Sequence, residues 1–243
     1  MTIKNIIKPI RLIYENKTVD LPEDLKIKIK QFWAKTIKEN PDLYNGEDFT
    51  VTRVEESKTE TIMHVAKTDY AHYLYDERIG IGNEKYKCIS PWAGILLLTK
   101  DDYWVIGKMN LNTSFPGGFQ IPGGGIDLED IENNVIDINE SLKRELKEET
   151  SLELDKIKFN FRYLECPTKE RNVYGFIAVG EANMSKAELR NIFEKYKKSL
   201  VQKHLYAELV GLIFLKKEKA VRELNEYKDL KRPYLEELLE MVG

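Results

Sequence analysis

Apolar residues in this chain come in short runs, and the spacing inside each run indicates the element it forms. In "LPEDLKIKIKQFWAKTIKE", residues 21–39, a proline and two acids lead into helix-forming residues, and Asn40-Pro41 closes the segment. That pattern predicts a helix. "DFTVTRVEE" and "TETIMHVAK" are two strand-like runs about a polar turn and predict a hairpin. "DYAHYLYDE" predicts a short helix with an aromatic face. A second hairpin is expected from residues 93–99 and 103–109, with Lys100-Asp101-Asp102 as its turn. Further on, "IKFNFRYLEC" and "NVYGFIAVGEA" alternate as strands, and "SKAELRNIFEKYKKSL" is an amphipathic helix. "HLYAELVGLIFLK" is a strand run, and helical sequence fills the rest. Strands interleaved with helices in this order predict an α/β protein of the α+β type, with a mixed sheet sandwiched between helices.

Ser90-Pro91 marks the start of a new unit. Residues 1–89 are expected to form an N-terminal extension, helix plus hairpin, packing on a main domain of residues 90–243. The 243 residues, 42% of them hydrophobic, suffice for one large domain or two small ones. Lys and Arg number 38 against 41 Asp and Glu, so the chain lacks the basic excess of a nucleic-acid binder. Two cysteines, Cys88 and Cys166, make no disulfide framework, and with three histidines they argue against a closed zinc site. Pro9 and several charges break the apolar run at the start, so neither a signal peptide nor a membrane span is expected there. These features predict a cytoplasmic protein with no membrane or nucleic-acid partner.

The helix expected over residues 138–150 breaks the rules of a solvated helix. Asp137 is its expected N-cap, with Glu140 completing a capping box. Within "KRELKEETS" the glutamates 145, 148 and 149 fall three and four apart. At about 100° per residue they share an arc of about 100°. Ile138, Leu142 and Leu146 occupy the same side, so Glu149 lies inside the apolar stripe. A surface helix keeps its acids away from that stripe. Like charges at this spacing cost about 0.2–0.5 kcal/mol per pair. Acids in the last turn oppose the macrodipole by about 0.3–1 kcal/mol each. A divalent cation removes the conflict, because clustered carboxylates offer the hard oxygens Mg²⁺ prefers.

Upstream lies the glycine-rich "FPGGFQIPGGGID", whose glycines let backbone approach a ligand. It is neither a P-loop nor a dinucleotide fingerprint, since no Gly-Lys-Ser/Thr and no G-x-G-x-x-G is present. Together, "PGGGID" and "RELKEETSL" (Arg144 to Leu152) resemble the box of the Nudix family, G-x5-E-x7-R-E-U-x-E-E-x-G-U with U aliphatic. The resemblance covers roughly residues 90–215 and implies an α/β/α sandwich with a mixed sheet. It also departs from the pattern. Ser151 stands at the late glycine, so the helix is expected to end without a residue tolerant of left-handed backbone. Counting back eight from Arg144 reaches Ile136, not a glutamate. The stretch from Gly124 to Arg144 is six residues too long, and the excess falls in residues 128–136, read here as an acidic loop.

The resemblance implies a Mg²⁺- or Mn²⁺-dependent pyrophosphohydrolase acting on a small nucleoside diphosphate derivative. Glu145, Glu148 and Glu149 would be metal ligands, joined by a backbone carbonyl of Gly123. Arg144 would orient Glu145, and Glu208 would be a further ligand or base, with Glu181 a weaker candidate. Trp92, Trp104, Phe115 and Phe119 are candidates for stacking on a base, each more often core than ligand. A faint likeness around "YNGEDFTVTRVEES" ranks nucleotide sugars such as UDP-glucose slightly above ADP-ribose or a nucleoside triphosphate. The competing reading is a non-catalytic nucleotide sensor on the same scaffold. A prenyl diphosphate isomerase would ask for a cysteine ahead of the box, and none lies between Trp92 and Gly125.

Overall fold

The computed structural model describes residues 2–169 and 171–243. The N-terminal region contains β1 (Ile3–Asn5), β2 (Ile10–Thr18), α1 (Glu23–Glu39), β3 (Glu47–Glu56), β4 (Thr61–Asp69) and α2 (Tyr70–Arg78). The middle holds β5 (Ser90–Thr99), β6 (Tyr103–Met109), β7 (Phe119–Gln120), β8 (Gly123–Gly125), β9 (Ile131–Glu132), β10 (Val135–Ile136) and α3 (Ile138–Thr150). Then come β11 (Ile157–Glu165), β12 (Val173–Ala182), α4 (Lys186–Gln202), β13 (Leu209–Lys216), α5 (Ala220–Glu226) and α6 (Tyr234–Val242).

Side chains on a strand alternate between faces, and β5 shows what each face meets. Ala93, Ile95 and Leu97 pack with Leu142 and Leu146 of α3 and Leu189 of α4. Trp92 and Leu96 pack with Leu224 of α5 and with Tyr234, Leu235 and Leu238 of α6. The sheet is therefore covered by helices on both sides, which is why β5 reads as a nearly unbroken apolar run. Among the described residues this sheet has eight strands, in the order β1-β11-β12-β5-β6-β13, with β7 on β6 and β8 on β5. It is mixed: β12 and β5 run parallel and the other pairs antiparallel. The mixed α/β architecture expected from the sequence is the observed one.

A second sheet, in the order β3-β4-β2-β10-β9, packs Leu12, Phe49, Met63, Val65 and Ile136 against Ile126 and Phe176. Two of its strands correct the sequence reading. Residues 128–136 are not a loop: a 3-10 turn (Leu128–Asp130) leads into the β9–β10 hairpin. Asn133 and Asn134, both at positive φ, make its two-residue turn, and asparagine is among the residues that tolerate this backbone best. Val135 and Ile136 pair with Ile13 and Leu12. Strands β1 and β2 also arise in a stretch whose sequence pattern announces no element.

Helix α3 spans the predicted residues, but its ends differ in detail. The Asp137 side chain accepts the Asn139 amide as N-cap, while Glu140 pairs with Lys143 at 3.6 Å instead of completing a capping box. At the other end Ser151 itself takes the left-handed conformation, φ 63° and ψ 17°, and its amide donates to Lys147 O at 2.9 Å. The expectation that the helix would end without such a residue is thus corrected: serine does the glycine's job at a steric cost. Both cysteines are free. No helix among the described residues is long and apolar enough to cross a membrane.

Candidate active site

The packing of α3 against β5 and β8 decides the fate of each glutamate. Glu149 and Glu145 are buried, 3% and 9% exposed, whereas the Glu148 side chain keeps 62% of its surface. The helical wheel put Glu149 inside the apolar stripe, and there it lies. Its Oε2 accepts the Gly123 amide at 2.7 Å, while Oε1 is buried without a hydrogen-bond partner among the described residues. Gly123 has φ 144°, and a side chain there would collide with Ala93 O of β5. Gly124 is as constrained, because a Cβ would strike the Glu145 carboxylate. The glycine run is what allows strand β8 to press against two acids.

Arg144 holds this corner together. Its Nη1 donates to Glu145 Oε1 at 2.7 Å and lies 3.5 Å from Glu148 Oε2. Its Nη2 donates to Gly125 O at 2.9 Å and to Asp130 Oδ2 at 3.1 Å. Asp130, 4% exposed, also accepts the Asp127 amide at 2.8 Å. Spacing counted back from Arg144 does not reach Asp130. Counting forward from Gly124 through five residues lands on it, so an acid stands where the pattern that this stretch resembles has its first one. The six extra residues are then 131–136, the β9–β10 hairpin.

Burial and then charge repulsion mark the site. Burial pushes the Glu145 carboxyl up to about 7, against the lowering pull of Arg144. Glu149 is raised well above the carboxylate range, first by burial and then by the charges of Glu208 and Glu145, with the Gly123 amide opposing. Glu208 is raised by desolvation and then by Glu148. By surface area Glu208 is exposed, and it lines a concave surface, so it is crowded by protein and still open to water on one side. Burial opposes the charge of Arg144, yet Glu145 and Asp130 outweigh it and raise its pKa.

These residues suit a hard divalent cation chemically: an orphaned buried carboxylate oxygen and mutually repelling acids both call for positive charge. Among the described residues no group of three or more His, Cys, Asp or Glu side chains already converges in metal-holding geometry. Exposed Glu148, drawn toward Arg144, is the outlying member.

Beside the acids lies a cavity of about 250 Å³. Gly123, Gly124, Gly125 and Glu208 line it from the acidic side. Glu47, Asp48, Tyr70 and Tyr73 line it from the N-terminal region, together with Trp92, Arg171 and Arg232. Of the four aromatic candidates, Trp92 lines the cavity. Phe119 and Trp104 do not: both are core residues, 1% and 3% exposed, because their strands turn them toward α5 and α6. Phe115 is half-buried beneath the Arg232 guanidinium, 4.0 Å from ring centroid to Cζ. Glu181 lies on exposed β12 surface, outside this cavity.

No family model and no curated protein matches the chain. Among solved structures it is similar to a Nudix hydrolase from Alicyclobacillus acidocaldarius, with 11% identity over 63% of this chain and 90% of that one, at a TM-score of 0.45. A Deinococcus radiodurans protein gives 13% identity over 66% and 95%, TM-score 0.44. The MutT protein from Methanosarcina mazei Go1 gives 13% over 63% and 91%, TM-score 0.41. Likeness of this order carries no information on chemistry, which rests on the site itself.

Proposed function

We propose that this protein is a Nudix-type, divalent-metal-dependent pyrophosphohydrolase that cleaves a nucleoside diphosphate linked to another moiety. The observation that carries this reading is Glu149, an acid buried in the apolar face of α3 with one oxygen on the Gly123 amide and the other unpartnered. A purely structural helix has no use for such a group, and burying it costs stability.

Glu145, Glu148 and Glu149 would hold Mg²⁺ or Mn²⁺, with Glu148 swinging in from its exposed position and Gly123 offering its carbonyl. The cation, when bound, supplies a lowered pKa for water and neutralises diphosphate charge. Arg144, braced by Asp130, fixes the orientation of Glu145. Glu208, open to water on one side, accepts the proton of the attacking water. Trp92, Tyr70 and Tyr73 supply aromatic surface for the ligand, so residues 1–89 contribute a wall of the site as well as support for the core. Phe115 backs Arg232 at the edge of the cavity, and Phe119 and Trp104 serve the core. A nucleotide sugar is the favoured substrate, ahead of ADP-ribose or a nucleoside triphosphate.

The test incubates the protein with Mg²⁺ and a panel of nucleotide sugars, ADP-ribose, dinucleoside polyphosphates and triphosphates, with product identification. Release of a nucleoside monophosphate from one class supports the proposal. Tight binding with no turnover across the panel replaces it with the sensor reading.

A further inference from the structure

Two arginines that take no part in the acidic cluster face the same cavity. Arg171 sits in the turn before β12, where the Thr168 amide donates to Arg171 O at 2.9 Å and the Arg171 amide to Thr168 Oγ1 at 3.1 Å. Arg232 lies between α5 and α6, its amide donating to Phe119 O at 3.0 Å. Separate segments of the chain thus bring two guanidinium groups to one place, and both approach Glu77 Oε1, at 3.8 Å and 3.4 Å.

Their hydrogen-bond donors are incompletely used, although Glu165 outweighs the burial of Arg171 and holds its charge. Arg171 is 9% exposed, and its Nε lies 3.0 Å from Glu165 Oε1 without hydrogen-bond alignment. Its Nη1 has no hydrogen-bond partner among the described residues, and neither has Nε of Arg232. Glu77 is shared between the two and also accepts the Tyr73 hydroxyl at 2.9 Å. The other acids of the cavity do not help: among the described residues no ion pair joins Glu47, Asp48 or Glu208 to either arginine. Burial and the neighbouring Arg171 both lower the pKa of Arg232.

Aromatic rings hold both groups in place. The Arg171 guanidinium lies 5.6 Å from the Trp92 ring centroid and 5.9 Å from that of Tyr234, and Arg232 lies over Phe115. A guanidinium stacked on a ring keeps its edge free, and that planar fork matches an oxyanion. Purely structural arginines would spend their donors on fixed acceptors.

We propose that Arg171 and Arg232 form an oxyanion subsite in this cavity, holding a phosphoryl or carboxylate group of the ligand. The inference rests on the cavity being the ligand site of the proposed function. It adds that the ligand carries its negative charge to the arginines as well as to the acidic, metal-requiring cluster.

The test is calorimetric titration of the metal-free full chain, at low ionic strength, with inorganic phosphate in one arm and acetate in the other. Binding of phosphate alone assigns a phosphoryl group, and equal binding of acetate assigns a carboxylate. In either case Arg171→Gln and Arg232→Gln each weaken binding by about tenfold or more. Arg232→Lys retains part of it, and Arg190→Gln on exposed α4 leaves it unchanged. Should Arg171→Gln fail to fold, the Arg232 pair of variants decides. No binding of either anion to the wild type, or unchanged affinity in the glutamine variants, overturns the subsite. Because the titration needs no metal and no turnover, anion binding by a protein inert toward every substrate sinks the hydrolase reading and keeps the subsite. Turnover without metal-free binding does the reverse.

Discussion

Asp130 and Arg144 are joined by a 3.1 Å ion pair that spans the whole β9–β10 hairpin. The hairpin carries the chain out to pair with β2 and returns it to α3, and the Asp137 amide then donates to Asp130 O at 2.8 Å. The insertion is thereby closed at its base, and the two residues it separates in sequence stay in contact.

Asp130→Asn tests that brace. It keeps the shape but removes the charge that Arg144 Nη2 meets, and a hydrogen bond to a charged group is worth about 1.5–3 kcal/mol. Stability measured by urea unfolding should fall by that amount. In the proposed enzyme kcat should fall about tenfold to a hundredfold, as for other residues that orient a metal ligand. Asp130→Glu should recover part of both. Wild-type kcat in Asp130→Asn would remove Asp130 from any positioning role.

Glu149→Gln separates function from stability. The carboxyl is buried and repelled by its neighbours, so the neutral amide should leave the metal-free protein as stable as the wild type or more so. Mg²⁺ should raise the melting temperature of the wild type and not of the variant. Hydrolysis should fall by two orders of magnitude or more, on the order of 3 kcal/mol in the barrier. Turnover at the wild-type rate would refute the metal-site proposal.

Asp48 makes stability depend on pH. Burial pushes its carboxyl up to about 6, against hydrogen bonds from the Phe49 amide and the Ser90 hydroxyl. Below the unfolded value near 3.8 the group is protonated in both states, and the folded protein bears no penalty. As pH rises from 3.8 through about 6, the unfolded chain ionises first and stability is lost. The loss is on the order of 3 kcal/mol. Asp48→Asn lacks this dependence, so its stability relative to wild type should improve by that amount between pH 4 and pH 8. A difference constant across that range in paired unfolding curves would show that Asp48 is not buried as a charge.

Ser151→Gly tests the helix end. A non-glycine residue in the left-handed region costs roughly 1–2 kcal/mol, partly offset by the extra freedom glycine gives the unfolded chain. A net gain of about 0.5–1 kcal/mol corresponds to a melting temperature higher by about 1–4 °C for a chain of this size. A lower melting temperature would mean that the serine makes contacts outweighing its strain.

The sequence by itself determined the elements with strong local periodicity. Helices α1, α3 and α4 and the β3–β4 and β5–β6 hairpins stand where the pattern of apolar residues puts them. It also determined that Glu149 lies on the apolar face of α3, because a 3.6-residue repeat assigns each position to a face without knowing what packs there. Tertiary structure decided the rest. Strand β1 is three residues long and exists through a partner far along the chain, β11, so no local signal announces it. Trp104 and Phe119 were plausible stacking residues until the packing of α5 and α6 covered them, since an aromatic ring serves a core or a ligand equally well. Asp130 reaches Arg144, and Arg171 comes beside Arg232, for the same reason. Charged side chains separated by many residues meet only when the backbone between them is folded, and a linear pattern of types records no distance across that gap.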